Sequence, residues 1–311
     1  MQKSSFFIFL LFLLVACNGS GDNNNNNDDQ NDQELGAFET FEEKISYCIG
    51  LDNGNAILQV YNGDNTIGKF SMTDIQDGIV DYLGDDDLRI PINSIDSILN
   101  LYLGENGTIN DSYISKTDAS YAIGLIEGQT LVGSLVGRGI DQQMEIPFLI
   151  EGIVDGMKDE SRKIELSAAR KEVGNYYSEM NKIMGESFLA NNAKNPSVNT
   201  TESGLQYEVI TEGTGRMPNL TDTCIVHYTG RFIDGRVFET TIPSQQPAQF
   251  TLMGVIEGWQ EGLMLMKEGG SMRLFLPYQL AYGENGSGPI EPYSTLVFDI
   301  ELLRVNRFSP Q

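Results

Sequence analysis

The fold is decided by a stretch that opens with Cys224-Ile225-Val226-His227-Tyr228 and closes with Leu296-Val297-Phe298. The opening residues alternate with period two, which is typical of a strand with one buried face, and this alternation turns Tyr228 inward. Asp234-Gly235 predicts a tight hairpin turn before a second short strand, in which Phe238 stands beside an acid. The sequence therefore predicts an antiparallel sheet with aromatic side chains on its inner face.

Five motifs of this stretch follow one another in a fixed order: Val226-His227-Tyr228-Thr229-Gly230, Asp234-Gly235-Arg236-Val237-Phe238, Val255-Ile256-Glu257-Gly258-Trp259, Leu280-Ala281-Tyr282-Gly283 and Thr295-Leu296-Val297-Phe298. In order and spacing they resemble the FKBP-type peptidyl-prolyl isomerases, the family that binds tacrolimus and rapamycin. The resemblance implies a twisted antiparallel sheet wrapped around one short helix. It also implies an aromatic pocket that holds the proline ring of a client polypeptide, with tacrolimus- or rapamycin-type molecules as further ligands.

The resemblance implies a role for each matching residue. Trp259 would form the floor of the pocket, with Tyr228, Phe238 and Phe298 as its walls. Ile256 would offer its backbone N–H to the carbonyl of the bound peptide, and Tyr282 would offer its phenolic hydroxyl. Glu239 completes the expected catalytic set, and the expected substrate-binding residues are Val255, Ala281, Ile290 and Phe250.

The chemistry of prolyl isomerisation explains why the stretch carries so few reactive groups. Rotation about a peptide bond costs about 18–20 kcal/mol because resonance is lost at the twisted midpoint, yet no bond is broken. An apolar pocket that strips water from the amide, with donors placed for the twisted geometry, favours the transition state. We therefore expect no nucleophile, metal or cofactor, and His227 is the single histidine from which such a site could be built.

Some residues depart from the family pattern, among them Ala248, where some members place another pocket aromatic. The family usually has Asp after the pocket Phe, whereas this chain has Glu239, which is one methylene longer. The loop Ser287–Glu291 ends in Glu where relatives often have Pro, which bears on client preference.

Two function classes therefore remain open. One is an isomerase that assists the folding of exported proteins and has chaperone activity; the other is a client-binding holdase or adhesion module with weak or no turnover.

The first residues have the features of an export signal. Lys3 precedes an apolar run, Phe6–Ala16, that is too short to span a bilayer at about 20 residues. Leu14-Val15-Ala16-Cys17 resembles the lipobox of bacterial lipoproteins, which implies a signal peptide at 1–16 and lipidation of Cys17. The alternative is an ordinary signal peptide with a chance cysteine. The lipobox predicts a membrane-tethered lipoprotein of the bacterial outer membrane that faces the periplasm or the cell surface.

Composition agrees with an exported, client-binding protein. Residues 17–36 are rich in Asn, Asp and Gly, and this composition predicts a disordered tether. The chain has 44 acidic and 20 basic residues and a formal net charge of −24, which argues against nucleic acid because phosphate binding relies on Lys and Arg. Cys48 and Cys224 could pair in an oxidising compartment, but we expect two buried free thiols because they fall in different predicted domains.

An internal repeat fills the region before the isomerase-like stretch. Ser46–Leu51 lines up with Ser120–Leu125, and the same sequence offset pairs Gly78–Asp81 with Gly152–Asp155 without a gap. Apolar residues recur at i, i+4 and i+8 in both copies, which predicts helices. The expected α+β chain has a first helical repeat at 37–110, a second at 111–165, a connecting helix at 166–196 and the isomerase domain at 197–311.

The second repeat resembles the helical N-terminal dimerisation domain of the Mip-like (macrophage infectivity potentiator) FKBPs, through Ser120-Tyr121-Ala122-Ile123-Gly124 and Gly139-Ile140-Asp141. In those relatives two chains pair through this domain to form a V-shaped homodimer. The duplication leads us to expect that the first repeat packs on the second within one chain and replaces the partner subunit. An early break at Gly104-Glu105-Asn106-Gly107 agrees with this expectation. The alternative is an ordinary homodimer with a larger half-site.

Overall fold

The computed structural model describes residues 37–63, 68–104, 109–158, 162–242, 244 and 246–307. The expected signal peptide, Cys17 and the tether lie outside these residues. The chain divides into two compact units, one up to Tyr176 and one from Tyr177 onward. This division falls inside the expected connecting helix, and the segment bounds given above stay a prediction.

The first unit is built from helices, and three of them begin at a residue whose side chain caps the first turn. Thr40 forms a capping box with Glu43, and the hydroxyls of Ser71 and Ser115 cap two further helices. No helix within the described ranges is both long enough and apolar enough to cross a membrane. The helices are α1 (Phe41–Tyr61), α2 (Met72–Gly84), α3 (Ile95–Leu103), α4 (Lys116–Gly137), α5 (Ile146–Lys158) and α6 (Leu166–Asn192).

The two repeats pack on each other, so that helices of the first repeat lie against helices of the second. Helix α1 of the first repeat packs on α5 of the second, and α2 of the first packs on α4 of the second. The backbones touch at glycines: a Cβ on Gly50 would lie under 3.0 Å from the carbonyl oxygen of Leu149, and one on Gly124 equally close to that of Ile75. The hydrophobic core of this unit is therefore shared by the two repeats.

Hydrogen bonds across the shared core recur at equivalent positions of the two repeats. The Tyr47 hydroxyl donates to Asp155 at 2.6 Å, and the Tyr121 hydroxyl donates to Asp81 at 2.8 Å. Each hydroxyl also accepts a backbone N–H, from Lys163 at 2.9 Å and from Arg89 at 3.1 Å. The repeats are thus related by a pseudo-twofold arrangement in which the buried phenols of both halves are satisfied alike.

The pseudo-twofold arrangement is broken where α6 meets the first repeat. The Arg170 guanidinium donates to Asp52 at 2.7 Å and to Asn55 at 3.3 Å. In the alignment of the two repeats, the counterparts of Arg170 and Asp52 are Asp96 and Ile126. An acid and an alkyl side chain cannot form an ion pair, so this contact exists on one side of the unit only.

After the second half of α6, the second unit consists of an antiparallel sheet with a short helix, α7 (Glu257–Leu265), packed on it. Its strands are β1 (Asn199–Thr200), β2 (Gln206–Thr211), β3 (Thr223–Phe232), β4 (Val237–Thr240), β5 (Ala248–Thr251), β6 (Ser271–Leu276) and β7 (Leu296–Asn306). They run in the order β1-β2-β6-β7-β3-β4, and β5 pairs with the first part of β3. Helices before a sheet make the chain α+β, as the sequence predicts.

Strand β3 follows the alternation that the sequence predicts. Cys224 and Tyr228 are buried on the inner face, whereas the Nδ1 atom of His227, on the opposite face, lies 3.0 Å from the Thr241 hydroxyl. Cys224 and Cys48 are both buried and are not joined by a disulfide, which agrees with the expectation of two separate thiols. Burial raises the pKa of Cys224 to about 11.

Candidate active site

Four aromatic rings gather around Trp259, which lies in the first turn of α7. The ring of Tyr228 on β3 meets the indole edge-on at a centroid distance of 5.0 Å, and Phe298 on β7 does so at 5.2 Å. Phe250 on β5 lies 5.6 Å from the indole, and Phe238 on β4 packs on Phe298 at 5.7 Å. Edge-to-face pairs of this kind contribute about 0.5–1.5 kcal/mol each beyond burial. We call these five rings the aromatic pocket.

The aromatic pocket has a buried floor and more open sides. Trp259, Tyr228 and Phe298 are 4%, 5% and 3% exposed, whereas Phe238 and Phe250 are half-buried. Among the described residues, nothing accepts a hydrogen bond from the buried indole N–H of Trp259. The floor is therefore built of buried aromatic rings and carries one unused donor.

Ile256 precedes α7 and caps its first turn. Its carbonyl oxygen accepts the N–H groups of Trp259 at 3.0 Å and Gln260 at 3.1 Å, and the Gln260 side chain donates to the Val255 carbonyl at 2.8 Å. The N–H of Ile256 itself takes part in no hydrogen bond within the described part of the chain. This donor is therefore free to bind a peptide carbonyl. Side chains that pack half-buried on the same core are Val255, Ile256 and Ala281.

Glu239 influences two phenols at the edge of the aromatic pocket. Burial raises the pKa of Tyr228, and a hydrogen bond to Glu239 raises it further. Burial also raises the pKa of Tyr282, and the negative charge of Glu239 adds to this shift. Both phenols therefore stay protonated at neutral pH and act as hydrogen-bond donors. The longer acid of this chain still reaches the Tyr228 hydroxyl.

Residues 283–293 form a hairpin flap after Tyr282. The N–H of Tyr293 donates to the carbonyl of Gly283 at 3.1 Å and joins the two ends of the flap. Ser287 and Ile290 exchange backbone hydrogen bonds of 2.8 and 3.0 Å near its tip. Ile290 is 6% exposed and belongs to the core that contains the pocket floor, so the flap is fastened at its base and at its tip.

The structure brings the expected site residues together. The aromatic and aliphatic ones belong to or pack on one core, and Glu239 and Tyr282 interact electrostatically with Tyr228. Their catalytic and binding roles stay predictions. Within the described ranges, no cluster of His, Cys, Asp or Glu side chains is arranged to hold a metal ion.

Sequence reasoning missed two residues that shape the pocket. The ring of Phe232 packs on Phe238 at a centroid distance of 5.2 Å. A Cβ on Gly230 would lie under 3.0 Å from the rings of Phe238 and Phe298. Both residues follow Tyr228 on the same face of β3, so extending the period-two alternation by two steps would have found them.

An antiparallel sheet, one short helix packed on it and an aromatic pocket at their junction define a class of proteins that bind a proline ring and rotate the bond before it. Residues 214–303 match the family model described as FKBP-type peptidyl-prolyl cis-trans isomerase. Residues 116–209 match the model described as a domain amino terminal to FKBP-type peptidyl-prolyl isomerase. The chain belongs to the FKBP-type peptidyl-prolyl cis-trans isomerases.

Relatives with known names agree with this assignment. The chain is 38% identical over 201 residues to the FKBP-type 22 kDa peptidyl-prolyl cis-trans isomerase of Escherichia coli (strain K12), which covers 61% of this chain and 95% of the relative. It is 37% identical to FkpA of Aeromonas hydrophila, over 61% of this chain and 76% of the relative. It is 38% identical to outer membrane protein MIP of Legionella longbeachae, over 62% of this chain and 86% of the relative. The domain models begin at residue 116, so the first repeat lies outside them.

Proposed function

We propose that this chain isomerises X-Pro bonds in exported polypeptides at the aromatic pocket and acts as a chaperone for the same clients. The observation that carries the proposal is the set of rings around Trp259, with two protonated phenols and an unused Ile256 N–H beside it. Family membership supplies the class of reaction. The pocket supplies an apolar surface of the kind that a proline ring needs.

In the proposed reaction, the proline ring of the client lies on Trp259. The apolar surroundings remove water from the amide and disfavour its polar, planar resonance form. The N–H of Ile256 holds a peptide carbonyl, and the Tyr282 hydroxyl donates to the client near the rotating bond. No bond is broken, so these residues only lower the barrier of a rotation that otherwise takes tens of seconds.

Isomer exchange on a set of X-Pro peptides tests this proposal. We expect the chain without its signal to accelerate exchange and Tyr282→Phe to lower kcat/KM about fivefold, the effect of one lost hydrogen bond. Trp259→Ala should abolish most of the acceleration because it removes the pocket floor, and Trp259→Phe, which keeps an apolar ring there, should retain part of it. Tyr113→Phe is the matched control because it removes the same hydroxyl from a 77% exposed ring. Equal rates in all variants would contradict the assignment to this pocket.

A client-binding module with weak turnover is the second candidate function. Glu239 favours it, because the family usually has Asp at this position. Trp259 is the single tryptophan of the chain, so its fluorescence reports directly on peptide binding at the pocket floor. A folded chain that binds X-Pro peptides by this signal without accelerating their exchange would establish the second candidate and exclude the first.

We also propose that one chain contains the whole helical pairing unit, with the first repeat in the place of a partner subunit. The packing between the repeats supports this proposal, because α2 already covers α4 and α1 already covers α5. We expect light scattering at low micromolar concentration to give the mass of one chain. A shortened chain without residues 37–110 exposes α4 and α5, and we expect it to pair. A full-length mass near twice that of one chain would favour the ordinary homodimer instead.

A lipid anchor at Cys17 would place this activity at a membrane surface. The lipobox sequence supports it, and one relative is named an outer membrane protein. Acyl chains contribute about 0.8 kcal/mol per buried CH₂ group, so several chains anchor durably. Radiolabelled palmitate should enter the wild-type chain in a bacterial host and be absent from Cys17→Ser. Labelling of both proteins would contradict the proposal.

A further inference from the structure

In the second half of α6, the side chain of Asn181 binds the flap. The Nδ2 atom of Asn181 donates to Oε2 of Glu291 at 3.1 Å and to the carbonyl oxygen of Pro292 at 3.0 Å. A side-chain amide has two N–H donors, so Asn181 can hold the carboxylate of one flap residue and the backbone of the next at the same time. The flap is therefore supported by the connecting helix as well as by the sheet.

The helix approaches this region closely. A Cβ on Gly185, one turn after Asn181, would lie under 3.0 Å from the Thr295 hydroxyl. The Nζ atom of Lys182 lies 5.8 Å from the centre of the Tyr293 ring. Tyr293 has a φ of 58°, in the left-handed region that residues with a Cβ rarely adopt. Contacts around it hold this unusual backbone conformation at the end of the flap.

The same part of α6 is also anchored to the sheet. Phe188 packs on Phe275 of β6 at a centroid distance of 6.0 Å. The Gln206 side chain donates to the carbonyl of Leu189 at 3.0 Å and accepts from Asn192 at 2.9 Å. Because the helix is fixed to β2 and β6 by these contacts, it provides a firm support from which Asn181 reaches the flap.

The flap connects this support to the aromatic pocket. Ile290, which precedes Glu291, is buried in the core that contains the pocket floor. The far end of the flap is tied to Gly283, the residue after Tyr282, by the N–H of Tyr293. A movement of the segment held by Asn181 would therefore displace one expected binding side chain and the residue next to an expected catalytic one.

We propose that Asn181 is a positioning residue that acts through Glu291 and Pro292 to set the place of the flap and, with it, the affinity for X-Pro clients. This inference rests on the proposed function, because it assumes that Ile290 and Tyr282 contact the client. Position 291 often holds Pro in relatives, and a Pro side chain offers no acceptor. The Glu of this chain supplies one, and the helix supplies its donor.

Asn181→Asp tests the proposal by replacing the donor with a second carboxylate. Repulsion from Glu291 and from the Pro292 carbonyl should release the flap. We expect KM for an X-Pro peptide to rise about fivefold while kcat changes less than about twofold, because Trp259 and Ile256 belong to other elements. The peptide Kd measured by Trp259 fluorescence should rise in parallel.

A rescue and a control separate positioning from a general loss of stability. Adding Glu291→Gln to Asn181→Asp restores a donor–acceptor pair in the reverse direction. It should recover part of the lost affinity, because the Pro292 carbonyl still faces the new carboxylate. Asn191→Asp makes the same change on the same helix, where the amide oxygen accepts from Lys194 at 2.9 Å, and should leave KM unchanged. A purely structural role would lower Tm without a split between KM and kcat and without rescue.

The outcomes distinguish this inference from the proposed function on which it rests. A wild-type chain that does not accelerate exchange at all would refute the proposed function. An active wild-type chain whose KM is unchanged by Asn181→Asp would leave the proposed function standing and overturn the role of Asn181.

Discussion

Glu239 follows Phe238 of the aromatic pocket, at a position where the family resemblance leads us to expect Asp. Its carboxylate lies close enough to the Tyr228 hydroxyl to raise the pKa of that phenol, despite the additional methylene group. A buried donor that loses its acceptor costs about 1–3 kcal/mol. We therefore expect either acid at this position to serve as acceptor for the Tyr228 hydroxyl and to hold this wall of the pocket in place.

We predict that Glu239→Asp keeps kcat/KM within about twofold, whereas Glu239→Ala lowers it about tenfold by leaving the Tyr228 hydroxyl without an acceptor. Adding Tyr228→Phe to Glu239→Ala removes the unpaired hydroxyl and should recover part of the lost stability. The measurements are isomer exchange and urea unfolding of Glu239→Asp and of the four chains of the double-mutant cycle, namely wild type, Glu239→Ala, Tyr228→Phe and the double variant. A large gain of activity in Glu239→Asp would instead show that the longer acid is a defect.

Among single residues, the sequence predicts those that form the aromatic pocket but not all of those that hold the pocket in position. Trp259 and Phe298 are recognisable because each lies in a short motif with characteristic neighbours. Asn181 is not recognisable, because it contacts Glu291 and Pro292 more than a hundred positions later and stands in an ordinary helical pattern. Only the folded backbone brings such positions together.

Among the secondary-structure elements, the helices of the repeats show what periodicity can and cannot predict. The spacing of apolar residues predicts the helices and their inward faces, and the constant offset between the repeats predicts that both copies fold alike. Neither pattern states which helix covers which face. The packing of α1 on α5 and of α2 on α4 follows from the close backbone contacts at Gly50 and Gly124. The sequence shows only that these positions hold small residues.

We predict that Gly50→Ala and Gly124→Ala each destabilise the helical unit by about 1–3 kcal/mol or more, because the new methyl group must displace backbone of the opposite helix. Gly133→Ala is the matched control. Gly133 lies on the exposed side of α4, and none of the described residues outside its own helix turn comes within 4 Å of its Cβ position. This substitution should stabilise the helix by up to about 1 kcal/mol.

Urea unfolding followed by far-UV circular dichroism gives the three free energies of unfolding. If Gly50→Ala and Gly133→Ala change the free energy of unfolding equally, the backbones of α1 and α5 do not touch at Gly50. A strong effect at Gly50 with none at Gly124 would instead show that the two halves of the shared core do not respond alike.

For the whole molecule, buried phenols in both units determine the response to alkaline pH. Burial, followed by hydrogen bonding to Asp155 and Asp81 respectively, raises the pKa values of Tyr47 and Tyr121, and burial raises those of Tyr228 and Tyr282. Above pH of about 10 the unfolded chain releases these protons while the folded chain keeps them. Stability is therefore fully present below about pH 10 and falls as the pH rises further.

We predict that the free energy of unfolding depends little on these phenols between about pH 7 and 9 and declines above about pH 10. Tyr47→Phe should make that alkaline decline shallower by up to about 1.4 kcal/mol per pH unit, since one proton fewer is released on unfolding. Urea titrations at a series of pH values provide the slopes. An unchanged alkaline slope in Tyr47→Phe would contradict the raised pKa.

The division of the whole chain into two units was only partly predictable. The family motifs locate the isomerase sheet and the repeat locates the shared helical core, so the α+β class follows from the sequence. The place where one unit ends and the next begins does not, because α6 continues through it without a break in its helical pattern. Packing partners, rather than a change of secondary structure, define that division.

The ion pair between Arg170 and Asp52 has no counterpart at Asp96 and Ile126, and this asymmetry has an evolutionary consequence. In a symmetric homodimer every substitution appears twice, so the two halves of the interface must change together. Once both copies are joined in one polypeptide, a substitution alters one half and leaves the other as it was. The two faces of the helical unit are then free to specialise, one for carrying the catalytic part and the other for a task of its own.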